Sequence, residues 1–372
     1  MSTDAPRFLR IYSRCWRRWA FFAQAAEQYA CRLSGGTGPP HTGHSNANDN
    51  AQRGTDQETY KIIYGGSCTE SHPSTLTAYK FKELVEERSN GRIQVDVYIN
   101  NTLGDSRSML EGLQANEVQM TDAATGPFAS FTEEYMFVGL PFLFNNRDAA
   151  FDFIDGEMGQ RISQEVCDQT GIRILGYLEN GMRQLTNSKH PVTCPDDMKG
   201  LKIRVMESPM YIEMFTEMGA SPTPMSFAEL YTALQQKTVD GQDNSYTITC
   251  VNGLYEVQGY MTELGHNFDY TPFAMSNAFY ESLPQDLQQI VDECAAEAVT
   301  YDRQICIDKE ADYIKTIEDG GCQLTRLTDE QRQAFRDSTA GCLDFFKANY
   351  NPVIPVDDVL AAVNESNARF PG

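Results

Sequence analysis

Tyr60-Lys61-Ile62-Ile63-Tyr64-Gly65-Gly66 is a short β-branched run that halts at a glycine pair, which predicts a strand feeding a loop. Beyond it, Leu76, Tyr79, Lys80, Leu84 and Val85 fall at helical spacing and stop at Asn90-Gly91. Ile93, Val95, Val97 and Ile99 then alternate with polar residues, as a half-buried strand does. Asp105 stands where an N-cap would open a helix carrying Met109, Leu110 and Leu113. This order of strand, helix, strand, helix predicts an α/β lobe with a largely parallel sheet.

The pattern resumes further on. Leu201, Ile203 and Val205 read as a short strand, Met210 to Met218 as a helix, and Ser226 to Glu229 as a capping box opening a helix with Leu230, Tyr231 and Leu234. From Pro284 to Ile317, Leu287, Ile290, Val291, Cys294, Ala298, Tyr301, Ile305 and Asp308 recur at three-four spacing, predicting a helix long enough to run along two lobes. Two α/β lobes with a bracing helix are the architecture of a ligand clamp.

Composition excludes several classes. With 41% hydrophobic and 22% charged residues in 372, the chain is neither collagen-like, coiled coil nor wholly disordered, and its length fits two lobes. A net charge of −22 disfavours nucleic acid or an acidic membrane surface as a partner. Residues 1–53 run against that balance, with seven arginines, no lysine and only Asp4, Glu27 and Asp49 as acids. The stretch 34–56 is polar and poor in apolar residues, and reads as a disordered linker. Before it, Arg7 to Arg18 supplies the positive start of an export signal, but the apolar run from Trp19 to Ala26 is short and broken by Gln24. Residues 1–56 therefore read as an atypical signal or as the product of a start codon assigned too far upstream. No window approaches 18 consecutive apolar residues.

No recognised catalytic set is present at its spacing: there is no G-x-G-x-x-G, G-x-x-x-x-G-K, G-x-S-x-G or H-E-x-x-H. The five histidines are dispersed, and the ten cysteines form no C-x-x-C pair, so neither a metal centre nor another cofactor is expected. The eight cysteines after residue 60 fit four disulfides and free buried thiols equally. Two arginines stand out. Arg183 precedes a short polar strand and Arg204 interrupts the β-favouring run Leu201 to Val205. A buried guanidinium needs a carboxylate, supplied either by one of the 52 acids of the chain or by a ligand.

Several motifs in one order carry a resemblance: Leu201-Lys-Ile-Arg204-Val205, the run Gly219 to Leu234 with Pro224-Met225-Ser226-Phe227, and Val239-Asp-Gly241-Gln242-Asp243-Asn244. Phe81 to Asp105, Leu140-Pro141-Phe142 and Gly181-Met-Arg183 to Ser188 extend it over about Tyr60 to Leu343. The chain resembles the substrate-binding subunits of tripartite ATP-independent periplasmic (TRAP) transporters, the DctP-type family. The resemblance implies a two-lobed, periplasmic-binding-protein-like α/β clamp with hinge strands and a long helix. Residues 57–178 with a return segment at about 268–315 would make one lobe, and residues 179–267, completed by about 316–372, the other.

It further implies a monomeric, non-catalytic receptor in the periplasm. Such a receptor captures a small organic acid, a C4-dicarboxylate or a sugar acid such as a uronate, and delivers it to membrane subunits of Q and M type. Sialic acids and keto acids are alternatives within the family, and a hydrolase or lyase on the same scaffold is the competing class. The family's carboxylate-clamping arginine falls on Arg204, with Arg183 as a second ligand-reaching arginine and Asn244 as the asparagine of a Gly-Gln-Glu-Asn turn that here reads Gly-Gln-Asp-Asn. Phe227 falls on the aromatic wall. Met206, Ser67, Thr125, Glu70 and His72 complete the expected lining.

Overall fold

β1 (Tyr60–Gly66) turns Ile62 and Tyr64 into the core and Lys61 to solvent. It leads to α1 (Pro73–Arg88), whose proline sits in the first turn, where its missing N–H leaves no bond unmade. Asn90 and Gly91 follow at φ 52° and 77°, the left-handed backbone these two residue types tolerate best. β2 (Ile93–Tyr98) then pairs in parallel with β1. Asp105 caps α2 (Ser106–Ala115) by accepting the Ser108 amide at 2.9 Å, and the three-residue β3 (Met120–Asp122) lies on the other side of β1. The computed structural model describes residues 58–372, so the expected signal-like segment and linker lie outside the described residues.

After α3 (Arg147–Asp155) and α4 (Glu157–Thr170) comes β4 (Ile172–Asn187). The second half follows as β5 (Lys202–Val205), α5 (Pro209–Glu217), β6 (Ser221–Pro224), α6 (Phe227–Gln235), β7 (Gly241–Asn244) and α7 (Tyr246–Val251). The long β8 (Tyr260–Ser276), α8 (Asn277–Ser282), α9 (Gln285–Asp319), β9 (Gln323–Arg326), α10 (Asp329–Ser338), α11 (Cys342–Asn349) and α12 (Val356–Arg369) complete it. Ser226 caps α6 through the Ala228 amide at 3.4 Å, so the expected reciprocal capping box with Glu229 is reduced to a one-sided cap.

The nine strands form one mixed sheet, in the order β2-β1-β3-β8-β4-β7-β5-β6 with β9 beside β8. β4 and β8 are antiparallel partners along most of their length and serve both lobes. One end of β8, Phe273–Met275, pairs with β3; the far end of β4, Gln184–Asn187, pairs with β7. Register shifts between Glu179 and Gly181 and between Arg183 and Leu185, with Gly181 at φ 97°, mark the passage from one lobe to the other. These are the hinge strands. α9 has 35 residues, roughly 50 Å at 1.5 Å per residue, and packs on α1, on β4 and on α7, elements of both lobes.

The structure changes one expectation, adds detail to a second and resolves the open alternative for the cysteines. Arg183 does not precede a short polar strand but sits inside the sixteen-residue β4, whose polar side chains face a buried network rather than water. Of the segment 316–372, β9 pairs with the Tyr260–Glu263 end of β8 and α11 packs on α5, while the last helix, α12, packs on α3 and is tied there by Arg369 to Asp152 and by Asn367 to Leu143. The eight described cysteines are all free thiols, five of them buried.

Candidate ligand cleft

In a sheet of this kind the carboxyl ends of parallel strands open onto loops that can meet a ligand. β1 ends at Gly66 beside Ser67, β3 ends at Asp122, β5 runs into Met206 and β7 ends at Asn244, and residues from all four ends line one cleft. Its empty volume, counted to the mouth, is about 680 Å3. His72 from the start of α1, Phe227 from the start of α6 and Arg183, Arg204 and Asn180 from the sheet region also face it. Seven of the nine expected residues are thereby brought together: Arg204, Arg183, Asn244, Phe227, Ser67, His72 and Met206.

The other two lie elsewhere. Thr125 follows β3, is buried, and donates its hydroxyl to Asp269 Oδ1 at 2.6 Å, inside the hinge network. Glu70 is exposed on the loop before α1 and does not line the cleft. Asp122 and Asn180 do line it and were not anticipated. Asp122 was detectable in principle as a polar residue just before the loop that follows a strand, but β3 has only three residues and shows no periodicity.

The two arginines differ in their surroundings. Arg183 donates from Nε to Asp243 Oδ2 at 2.6 Å, from Nη1 to Asp269 Oδ2 at 3.2 Å and from Nη2 to the Asp243 carbonyl. Burial alone would raise the Asp243 carboxyl, yet Arg183 and His266 beside it hold it well below the usual carboxylate range. Burial alone would lower Arg183, and Asp243 and Asp269 hold it above its ordinary value. This guanidinium is fully partnered within the chain.

Arg204, on β5 between β6 and β7, is only 3% exposed. Its Nε and Nη2 donate to one backbone carbonyl, that of Met225, at 2.9 and 2.7 Å. Among the described residues no carboxylate forms an ion pair with it. Burial and then the neighbouring Arg183 push it down to about 10, which leaves it cationic at neutral pH. A buried cation that lines a cleft and is held by one neutral carbonyl has N–H donors left over, and a carboxylate is the group that matches them best.

The remaining walls are polar and apolar in turn. Asn244 is buried and donates to Gln242 Oε1 at 2.5 Å, leaving its carbonyl oxygen for the cleft. Asn180 donates to Asp269 Oδ2 at 2.7 Å. Phe227 is half-buried and supplies a flat apolar face, packing with Met225 against the cluster around Leu230. Met206 approaches the opposite lobe so closely that a β-carbon at Gly126 would stand 2.8 Å from its own. Burial pushes the Cys68 thiol up to about 12, which disfavours its thiolate.

Comparison with known proteins identifies the family. The model of the DctP family, described as bacterial extracellular solute-binding protein, family 7, matches residues 64–349. The 2,3-diketo-L-gulonate-binding periplasmic protein YiaO of Escherichia coli K12 is 30% identical over 305 residues, 82% of this chain and 91% of that protein. A sugar acid binding protein of Advenella mimigardefordensis, solved with galactonate, superposes with a TM-score of 0.80 at 30% identity, over 84% of this chain and all of that one. A TRAP periplasmic solute binding protein of Shewanella oneidensis with bound succinate superposes at 0.78 and 34% identity, over 83% and 99% of the two chains. These relatives are two-lobed receptors, not enzymes. With a family match over most of its length and an unpaired arginine in the cleft between its lobes, the chain belongs to the DctP family of extracellular solute-binding proteins.

Proposed function

We propose that this protein is a periplasmic receptor that closes its two lobes on an organic acid, a C4-dicarboxylate or a sugar acid, and presents it to TRAP membrane subunits of Q and M type. The observation that carries the reading is Arg204: a buried guanidinium whose hydrogen-bond partner among the described residues is the Met225 carbonyl. The ligand carboxylate completes its hydrogen bonds, each such charge-assisted bond contributing about 1.5–3 kcal/mol. Asn244 can accept from a ligand hydroxyl through its amide carbonyl, and Phe227 covers the carbon skeleton. Arg183 lines the floor, and its two aspartates make it a support for the site more than a second clamp.

Acidity of the whole chain does not oppose an acidic ligand, because affinity is set locally while net charge acts on approach and solubility. Ligand binding stabilises the closed form by RT ln(1 + [L]/Kd), about 2.7 kcal/mol at a hundredfold excess over Kd. The test is thermal shift of the protein against dicarboxylates, aldonates, uronates, sialic acids and keto acids, repeated with Arg204→Ala. A shift confined to one chemical class and abolished by the substitution is the expected result. A shift indifferent to Arg204 removes it as the anchor, and an acid consumed during incubation brings the enzyme reading back.

A further inference from the structure

Among the described residues, two buried polar atoms on residues of the cleft wall have no partner, and Ser74 lies beside both residues. His72 caps α1 by accepting the Ser74 amide on Nδ1 at 3.2 Å, with the Ser74 hydroxyl at 2.9 Å from the same nitrogen. A ring nitrogen that accepts a backbone N–H carries no proton, so the imidazole hydrogen is on Nε2. Nε2 is buried and unbonded. The second atom is Oδ1 of Asp122, likewise buried and unbonded, on a side chain that is 5% exposed at the end of β3. Ser74 and Tyr64 lie close enough to favour its ionised form, but neither hydroxyl completes a hydrogen bond to Oδ1.

Resting on the reading of Arg204 as the carboxylate anchor, we infer that His72 and Asp122 form a hydroxyl-reading end of the cleft, which selects hydroxylated monocarboxylates and rejects a second carboxylate. An alcohol matches both atoms, since it accepts from Nε2–H and donates to a carboxylate oxygen. A carboxylate matches only the first and is repelled by the second. The inventory of charge along the cleft agrees. Of its three guanidinium groups, Arg183 is paired to two aspartates and Arg107 is paired to Glu111 at the exposed mouth, so Arg204 alone is open to an anion. No lysine lines the cleft, whereas Asp122 and the exposed Glu207 both do.

Burial supports the division of roles. It pushes His72 down to about 4, so the ring stays neutral and cannot act as a second cation, and it pushes Asp122 up to about 6, which leaves the carboxylate mostly ionised above neutrality. A site that must leave one polar atom unpaired with the wrong ligand discriminates far more strongly than an apolar pocket does.

Calorimetric titration of the purified protein with galactonate, glucuronate and succinate at pH 7.5 tests the inference. The sugar acids are expected to bind at least about 100-fold tighter than succinate, on the scale of 1.4 kcal/mol for each tenfold. Asp122→Asn should weaken the sugar acids about tenfold and leave succinate equal or tighter, narrowing the ratio. His72→Asn provides an independent variant: asparagine retains the helix cap but has no group at the Nε2 position, so sugar-acid affinity should fall while melting temperature holds. Succinate bound more tightly than either sugar acid by wild type, with binding lost in Arg204→Ala, overturns this inference and leaves the receptor reading standing. So does a sugar-acid to succinate ratio unchanged in both variants. Failure of all three acids and of the wider panel to bind overturns both.

Discussion

Arg183 and Arg204 are both buried in the second lobe, on strands separated by β7, and they do opposite things. Arg183 is held by two aspartates and a carbonyl, Arg204 by a carbonyl alone. The first completes its charge inside the molecule and locks the hinge, tying β4 to β7 and β8 where the lobes meet. The second leaves its charge open to the cleft. A buried ion is tolerated when its partners are built in, and when they are absent the fold carries the cost until a ligand supplies them. Binding specificity for an anion is thus readable as a missing partner.

The largest effect that would test this contrast is on stability. Arg183→Met leaves Asp243 and Asp269 buried without their cation and should cost about 3–5 kcal/mol in urea unfolding without ligand. Arg204→Met, under the same conditions, should change stability by less than about 1 kcal/mol, because removing an unpaired buried charge offsets the lost bonds to Met225. Equal costs at the two positions would break the comparison.

Carboxylates offer the same contrast with the sign reversed. Asp243 is paired with the Arg183 guanidinium, whereas Asp302 on α9 takes its hydrogen bonds from neutral donors, the Glu179 amide at 2.8 Å and the Thr77 hydroxyl at 3.3 Å. Burial pushes Asp302 up to about 7. A carboxyl raised on folding contributes stability that is fully present below its unfolded value near 4 and is lost as pH rises through the folded value. Between pH 4 and 7 this group alone should lower stability by up to about 1.4 kcal/mol per pH unit, and Asp302→Asn should flatten that part of the profile. Asp243, held low, acts the other way: its stabilisation is present above pH 4 and is lost below it, and Asp302→Asn should leave that acid limb alone. Melting temperature followed from pH 3 to 8 separates the two.

The smallest effect concerns closure. Gly126→Ala drives a β-carbon to within 2.8 Å of that of Met206, on the opposite side of the cleft. Overpacking of this kind costs about 1–3 kcal/mol, felt only when the lobes are together. Ligand affinity should therefore drop about 5- to 150-fold in calorimetry, with unfolding in the absence of ligand little changed. Equal losses in both measurements would mean that the contact also persists in the open form.

Strand, helix, strand, helix from Tyr60 to Leu113 was legible because each element there is half-exposed, and alternation or three-four spacing is the imprint of one face meeting water. Asp105 and Asn90-Gly91 were legible for a local reason, since a cap and a left-handed turn depend on neighbours in sequence. The length of α9 followed from sustained helical spacing without a break. Arg204, the proposed carboxylate anchor, was singled out by motif order, a signal of kinship rather than of periodicity.

β4 and β8 were the main elements that sequence did not show, and the reason is their position. Both are covered on two sides along most of their length, so no alternation with solvent is written into them, and Glu179, Asn180, Arg183 and Gln184 look like surface residues until Asp243, Asp269 and Asp302 arrive from elsewhere in the chain. Which arginine is paired could not be decided among 52 acids, and neither could the partnerless state of His72 Nε2 and Asp122 Oδ1. Sequence by itself determined the fold class and the local caps, because those rest on residue type and spacing, and it named the family through the order of its motifs. Tertiary structure decided which charges are satisfied, because that depends on distances between residues far apart in the chain.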